Sequence, residues 1–286
     1  MSNLGNKTAI IFLTKNEENT IGGLIDELKS ILKSLPKVRA KIFICDDSKD
    51  KTRNIAKQKG VEIIKGKDSL ALSYYFALYS LSKSNEFENI ITIDGDGQTD
   101  LSEFSFFYEA LYQGYDLIVG SRFLQKNLIS YNYLMMNFIG VKILSFVITF
   151  CTFQKFTDSH GGLRGMKNSV AKNIKFLGTH SYVQESIITA KEKGFKIKEL
   201  PTKWRKREFG ESRVLSSKWI YIKKMSGVLL LRMRVHYLFL IIAFISLFIF
   251  NHQNFYKILI ALFPLSEFYK VYTYRKNRQK IEKEYG

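Results

Sequence analysis

Short apolar runs alternate with longer stretches of helical period through the first 120 residues. Residues 8–13 are apolar or β-branched and stop at Thr14-Lys-Asn16-Glu17, which reads as a first strand. Between 19 and 35 the apolar positions fall at 21, 24, 25, 28, 31, 32 and 35, one face of a helix that Pro36 stops. A second strand spans 41–45 and ends at Asp46-Asp47-Ser48. A helix over 52–59 closes at Gly60, a third strand covers 61–64, and a helix covers 69–82. A fourth strand at 90–93 precedes a helix at 101–112 and a fifth strand at 116–119. Strands alternating with helices of this length predict an α/β fold. Its sheet should be mostly parallel, with helices on both faces and right-handed crossovers.

The pattern then changes. Residues 123–156 are apolar and aromatic with few charges, which fits either core helices or a surface that touches lipid. Polar residues return near Asp158. A helix is expected over 181–193, closed by Gly194, and an edge strand over 195–200. Residues 235–250 and 255–274 form two apolar stretches joined by Asn251-His-Gln-Asn254. A spanning helix needs about 20 residues. The first stretch reaches that length only if it starts near Val228 and lets Arg232 and Arg234 extend to the interface. The joining segment has no Lys or Arg, whereas Lys223, Lys224, Arg275, Lys276, Arg278 and Lys280 flank the pair. The positive-inside rule then predicts a multi-pass membrane protein: two transmembrane helices with both ends in the cytoplasm. A hairpin lying in the interface is the alternative. The expected division is a domain at 1–215, a basic juxtamembrane helical segment at 216–234, the helix pair at 235–274 and a basic tail at 275–286.

Composition narrows the partners. The chain has 286 residues, 46% of them hydrophobic, enough for a sizeable core and too apolar for disorder. Forty-four Lys and Arg against 26 Asp and Glu give a net charge of +18, which attracts an anionic partner. Ten of those bases lie between Lys203 and Arg234, against only Glu208 and Glu211, and an apolar stretch follows at once. A basic collar beside apolar chain favours a membrane surface over nucleic acid, for which no recognition motif is visible. Cys45 and Cys151 read as buried, reduced thiols. The N-terminus runs into the first strand without a signal-peptide core, so the catalytic part is expected in the cytoplasm.

The densest chemistry lies in Ile-Thr-Ile-Asp94-Gly-Asp96-Gly-Gln98. Strand ends are where an α/β sheet opens its ligand crevice. Asp94, Asp96 and Gln98 are hard oxygen donors there, suited to Mg²⁺ or Mn²⁺ holding a diphosphate. Thr14-Lys-Asn16-Glu17, Asp46-Asp47-Ser48 and Gly120-Ser121-Arg122 follow the ends of three other strands. Each segment alone also fits a turn or a helix cap. Four in order can face one crevice.

With these segments the sequence resembles the family 2 glycosyltransferases of GT-A fold, and within them the polyprenyl-phosphate glycosyltransferases of the dolichol-phosphate mannose synthase type. The likeness covers about residues 7–235. It rests on Asp94-Gly-Asp96-Gly-Gln98, on Asp-Leu-Ile-Val-Gly-Ser-Arg122, and on Glu199-Leu-Pro201-x-x-Trp204-x-x-Arg207-x-x-Gly210-Glu-Ser212-Arg213. The resemblance implies that Thr14, Asn16, Glu17 and Lys67 border the nucleotide and that Asp46 or Asp47 meets its base. It implies that Asp94 touches the ribose or the metal shell, and that Asp96 and Gln98 ligate the cation. Arg122 and Arg207, with Ser212 and Arg213, are then candidates for an acceptor phosphate, since a planar guanidinium donates two parallel hydrogen bonds. Asp96, Arg122 and Arg207 are the residues expected to carry catalysis. The group's Pro and Tyr after the first strand are Leu13 and Lys15 here, and its Asp-x-x-Ser-Gly-Phe-Arg is Asp158-Ser-His-Gly161-Gly-Leu163-Arg164.

The expected reaction is an inverting transfer from a GDP- or UDP-linked sugar to a dolichyl or undecaprenyl phosphate at the cytoplasmic leaflet. An acceptor phosphate is already ionised and needs no strong base. A sugar hydroxyl would need one, and Asp158 and Glu185 are the candidates. Rival readings are transfer to a sugar hydroxyl and a non-catalytic membrane scaffold that binds a nucleotide-sugar. Self-association is left open.

Overall fold

The computed structural model describes residues 7–35, 38–67, 70–176 and 181–210, with scattered positions between 268 and 283. The basic segment at 216–234, Ser212 and Arg213 lie outside the described residues, as does the expected helix pair at 235–274 apart from helical positions 268, 269 and 271–273.

Five strands and five helices stand where the periodicity put them. The strands are β1 (Lys7–Thr14), β2 (Arg39–Asp46), β3 (Glu62–Lys65), β4 (Asn89–Asp94) and β5 (Leu117–Ser121). The helices are α1 (Ile21–Ser34), α2 (Thr52–Gln58), α3 (Leu70–Lys83), α4 (Phe104–Tyr112) and, later in the chain, α7 (Tyr182–Glu192). The ambiguous apolar segment contains α5 (Met135–Thr152). The strand expected at 195–200 is β7 (Ile197–Pro201), at the sheet edge. Two elements were not foreseen: β6 (Leu163–Lys167) and α6 (Asn168–Asn173).

One seven-stranded sheet runs in the order β3-β2-β1-β4-β6-β5-β7. All neighbours are parallel except β6, which is antiparallel to both β4 and β5. Alternation along β1 builds both cores. Ile10 and Phe12 face one side, with Ile21, Leu24, Ile25 and Leu28 of α1 and Phe104 and Phe107 of α4. Ala9, Ile11 and Leu13 face the other, with α3, α6 and α7. The four α1 residues are 4% exposed or less, and each such burial contributes roughly 1.5–3 kcal/mol.

The parallel register places the chemistry. Thr14 pairs with Asp46, and Leu13 pairs with both Cys45 and Asp94. The C-terminal ends of β1, β2 and β4 therefore lie side by side, and the polar segments after them share one edge. Cys45 is a buried free thiol and Cys151 a half-buried one.

Candidate active site

The loops after β1 and β2 are stitched together by short polar side chains. Thr14 Oγ1 donates to Asp46 Oδ1 at 2.7 Å. The Asn16 N–H donates to Ser48 Oγ at 2.6 Å, and Asn16 Oδ1 accepts from the Lys49 N–H at 3.0 Å. Asn16 itself sits at φ 55°, a left-handed conformation that Asn tolerates. Asp46 is fully buried and also accepts from Arg53 Nε, the Ser48 N–H and the Ser48 hydroxyl. Of the two aspartates considered for the base, Asp46 is thus committed to holding the loops. Asp47 is half-exposed and paired with Lys15 at 2.9 Å. Lys67 is half-buried at the rim, its N–H donating to Ser73 Oγ and its ammonium lying over Phe76.

The Asp94–Gln98 turn follows from its glycines. A Cβ on Gly95 would come within 2.5 Å of Thr14 Cγ2 and 2.9 Å of the Leu13 carbonyl. Gly97 adopts φ 76°, where L side chains are strained. With both tight positions met, the Gln98 N–H donates to Asp96 Oδ1 at 3.1 Å and fixes that carboxylate at the strand end. Asp94 lies deeper. Burial pushes its pKa up to about 7, against the pull of the Arg164 guanidinium and with the help of Asp96.

A strap from the far end of the domain closes over this turn. The Arg205 N–H donates to the Gln98 carbonyl at 2.7 Å, and the Asp100 N–H to the Lys203 carbonyl at 3.0 Å. Trp204 bridges Thr99 on one side and Ile129 on the other. Arg205 anchors the strap to Glu27 at 2.8 Å and to Asp100 at 3.1 Å. The strap delivers Arg207, whose Nη2 donates to Glu17 Oε1 at 2.8 Å and whose Nη1 lies 3.4 Å from Asp96 Oδ2. Residues 17, 96 and 207 are far apart in sequence and meet at one point.

Arg122 was expected to face an acceptor phosphate, and Asp158 to serve as a base. The structure joins them to each other. Arg122 Nε and Nη2 donate to the two Asp158 oxygens at 2.6 and 2.8 Å, and the Arg122 N–H adds a third bond at 3.0 Å. Their side chains are 4% and 0% exposed. The guanidinium also lies over Trp204, 4.3 Å from the ring, leaving Nη1 toward Tyr133. Nε and Nη2 of that fork thus face Asp158. Asp158 is held below the usual carboxylate range despite its burial, because Arg122 and two backbone N–H groups favour its charge. A base needs the opposite. Glu185 is wholly buried on α7, accepting from Ser181 Oγ at 2.7 Å, rather than on a solvated helix face.

Two contributors were missed. Arg164 is fully buried beneath Asp94, between the rings of Tyr74 and Tyr182, with Nη2 donating to the Gly161 carbonyl. Glu199 accepts from the Thr157 and Asp158 N–H groups and so fixes the Asp158 loop. Both lie in segments quoted above, but neither has a strand-end position to mark it. The Gly161-Gly162 pair has a local cause. A Cβ on Gly161 would overlap the Gly120 carbonyl, and one on Gly162 would come within 2.5 Å of Asp94 Oδ2.

Among the described residues no three His, Cys, Asp or Glu side chains cluster as a metal cage. An open cleft of about 440 Å³ adjoins the site, lined by Glu17, Lys49, Asp50 and Phe209 among others.

A mixed α/β sheet with polar loops gathered at the carboxyl ends of β1, β2 and β4 defines a GT-A-like fold. The model of Glycosyl transferase family 2 matches residues 9–175, and the chain belongs to that family. It is a glycosyltransferase. It is 32% identical over 212 residues to the uncharacterized protein MJ1222 of Methanocaldococcus jannaschii, covering 69% of this chain and 81% of that protein. It is 22% identical over 206 residues to a dolichyl-phosphate hexose transferase of Haloferax volcanii, covering 72% and 86%. Among solved structures it resembles glucosyl-3-phosphoglycerate synthase from Mycobacterium tuberculosis in complex with Mn²⁺, UDP and phosphoglyceric acid. That match has TM-score 0.58 and 15% identity, and covers 80% of this chain and 79% of the other.

Proposed function

We propose that the enzyme moves a sugar, with inversion, from a GDP- or UDP-linked donor to a polyprenyl phosphate at the cytoplasmic membrane face. The observation that carries this reading is the meeting of Arg207 with Asp96 and Glu17. It sets oxygen ligands for a cation beside a guanidinium suited to a phosphate. The Haloferax relative supports a lipid-phosphate acceptor. The Mn²⁺ and UDP of the mycobacterial complex support a metal-held nucleotide diphosphate.

The residues present fit a divalent cation. Asp94 is a carboxylate whose charge is disfavoured by burial and by neighbouring Asp96, against the pull of the Arg164 and Arg122 guanidinium groups. Asp94, Asp96 and Gln98 would hold Mg²⁺ or Mn²⁺, which prefer few protein ligands and complete their shell from diphosphate and water. A cation bound there would supply positive charge to a departing nucleoside diphosphate. Thr14, Asn16, Glu17, Asp47 and Lys67 border the nucleotide. Arg207 exchanges its carboxylates for the acceptor phosphate, and Ser212 and Arg213, close to it in sequence, are further candidates for that anion. Arg122 positions Asp158 and Trp204 and does not touch the acceptor. An ionised phosphate attacks the anomeric carbon without a base, which agrees with the low proton affinity of Asp158. The apolar stretches at 235–274 and the basic run before them support membrane attachment.

The test uses membranes carrying the full chain, a polyprenyl phosphate, Mg²⁺ or Mn²⁺ and a panel of labelled GDP- and UDP-sugars. Label entering the organic extract, and lost with Asp96→Ala or Arg207→Ala, is the expected result. Donor binding without lipid-linked label overturns the lipid acceptor in favour of a sugar hydroxyl.

A further inference from the structure

Arg164 has no part in the chemistry above, and its burial is poorly compensated. It is 1% exposed. Among the described residues its guanidinium makes one hydrogen bond, from Nη2 to the Gly161 carbonyl at 2.6 Å, while Nε and Nη1 have no partner. The rings of Tyr74 on α3 and Tyr182 on α7 lie 5.6 and 5.4 Å from its central carbon. A desolvated cation so thinly paired costs stability, and a well-packed apolar side chain of similar volume is often neutral or stabilising in such a place. The fold alone gives no reason for an arginine here.

Its one bond falls on the backbone that supports Asp94. β4 pairs Thr92 with Arg164 and Ile93 with Leu163, and the Asp94 N–H donates to the Gly162 carbonyl at 3.2 Å. Alternation along β4 puts Asp94 on the same face as Thr92 and Arg164, one step nearer the site. Asp94 Oδ2 rests against Gly162 so closely that a Cβ there would come within 2.5 Å of it. Gly161 leans in the same way on the Gly120 carbonyl, in the strand that ends at Ser121. The two glycines thus form a wall of bare backbone between the ends of β4 and β5. They have no side chain of their own to fix that wall, and Arg164 grips it from the buried side.

We propose that Arg164 is a positioning residue: through the Gly161 carbonyl it holds the glycine wall at the depth that aims the Asp94 carboxylate into the cation site. It touches neither cation nor substrate. The cation site is the one proposed above, at Asp94, Asp96 and Gln98, and the assignment rests on that reading. Losing a group that orients a metal ligand costs about 10–100-fold in metal affinity.

The test titrates Mn²⁺ into the full-length protein, reads bound metal from the loss of the free-ion electron paramagnetic resonance signal, and melts the same samples. Arg164→Met fills a similar volume without donors. It should melt no lower than wild type and bind Mn²⁺ at least about tenfold more weakly. Arg164→Lys keeps one donor group and should recover part of the affinity, which a packing role would not give. Gly162→Ala displaces Asp94 directly and should weaken Mn²⁺ to a similar degree. Combined with Arg164→Met it should lose little more than either alone, because both act through one wall. Wild-type affinity in Arg164→Met, or losses that simply multiply in the double variant, overturns the proposal. If Arg164→Met does not fold, Arg164→Lys with Gly162→Ala decides by the same criterion. A wild-type protein that binds no Mn²⁺ removes the cation site itself and the proposal with it, whereas wild-type binding left unchanged by Arg164→Met removes the proposal alone.

Discussion

Replacing Asp158 by Asn tests whether the Arg122–Asp158 pair is a structural clamp or part of a proton relay. The substitution keeps the shape and removes the charge. Arg122, 4% exposed, is then left as a buried cation facing an amide. Asn retains one acceptor oxygen, yet Asp158 now accepts from Arg122 Nε, Nη2 and N–H and from the His160 N–H at 2.9 Å. Removing one partner of a buried pair costs about 3–5 kcal/mol, because the other charge stays desolvated. Urea unfolding of the full chain, followed by far-UV circular dichroism and tryptophan fluorescence, reads that loss directly. Arg122→Met with Asp158→Asn should recover part of it, with a coupling of roughly 1–3 kcal/mol. A loss below about 1 kcal/mol for Asp158→Asn, or strictly additive losses in the double variant, would refute the clamp. Unchanged stability with abolished transfer would restore Asp158 as a base.

Arg207→Ala should lower transfer about 100-fold, as losing a group that stabilises developing or incoming charge does, while Arg207→Lys should retain part of the rate. Equal rates for all three proteins would remove Arg207 from the site. Gly95→Ala should destabilise the domain by about 1–3 kcal/mol, since its Cβ would meet Thr14 and the Leu13 carbonyl at 2.5 and 2.9 Å. A neutral melting profile would mean that the turn can relax. His160 is kept neutral, its pKa lowered from 6.5 to about 4 by burial and by Arg122. The unfolded chain therefore takes up a proton that the folded chain refuses as pH falls from about 6.5 to about 4, and up to about 3 kcal/mol is lost across that window. His160→Gln should flatten this part of the stability–pH curve. An unaltered slope would count against a buried neutral imidazole.

The helices and strands of the first half were legible because each signal was local. Apolar positions in α1 repeat at helical spacing and end at a proline, and the strands are short β-branched runs with polar stops. The turn that carries Asp94, Asp96 and Gln98 to the strand end was legible for the same reason. β6 was not legible. Leu-Arg-Gly-Met-Lys has neither alternation nor a β-branched run, and it is a strand because β4 and β5 leave a slot between them. Arg164 on that strand would read as a surface residue, yet it is wholly buried beneath Asp94.

The roles of the arginines divide along the same line. Sequence alone established that Arg122 follows a strand end and that Arg207 stands in a basic run, and the resemblance made both candidates for an acceptor phosphate. It also determined the family, the sheet with its polar edge, and the carboxylates on that edge, because period, turn chemistry and motif spacing act within a few residues. Only the tertiary structure decided which charges cancel. Asp158, 36 positions from Arg122, takes that fork entirely, while Glu17 and Asp96, from two other strand ends, share Arg207 at the mouth of the site. Whether a buried charge is a tool or a fastening depends on what lies within about 4 Å of it, and that distance is set by folding.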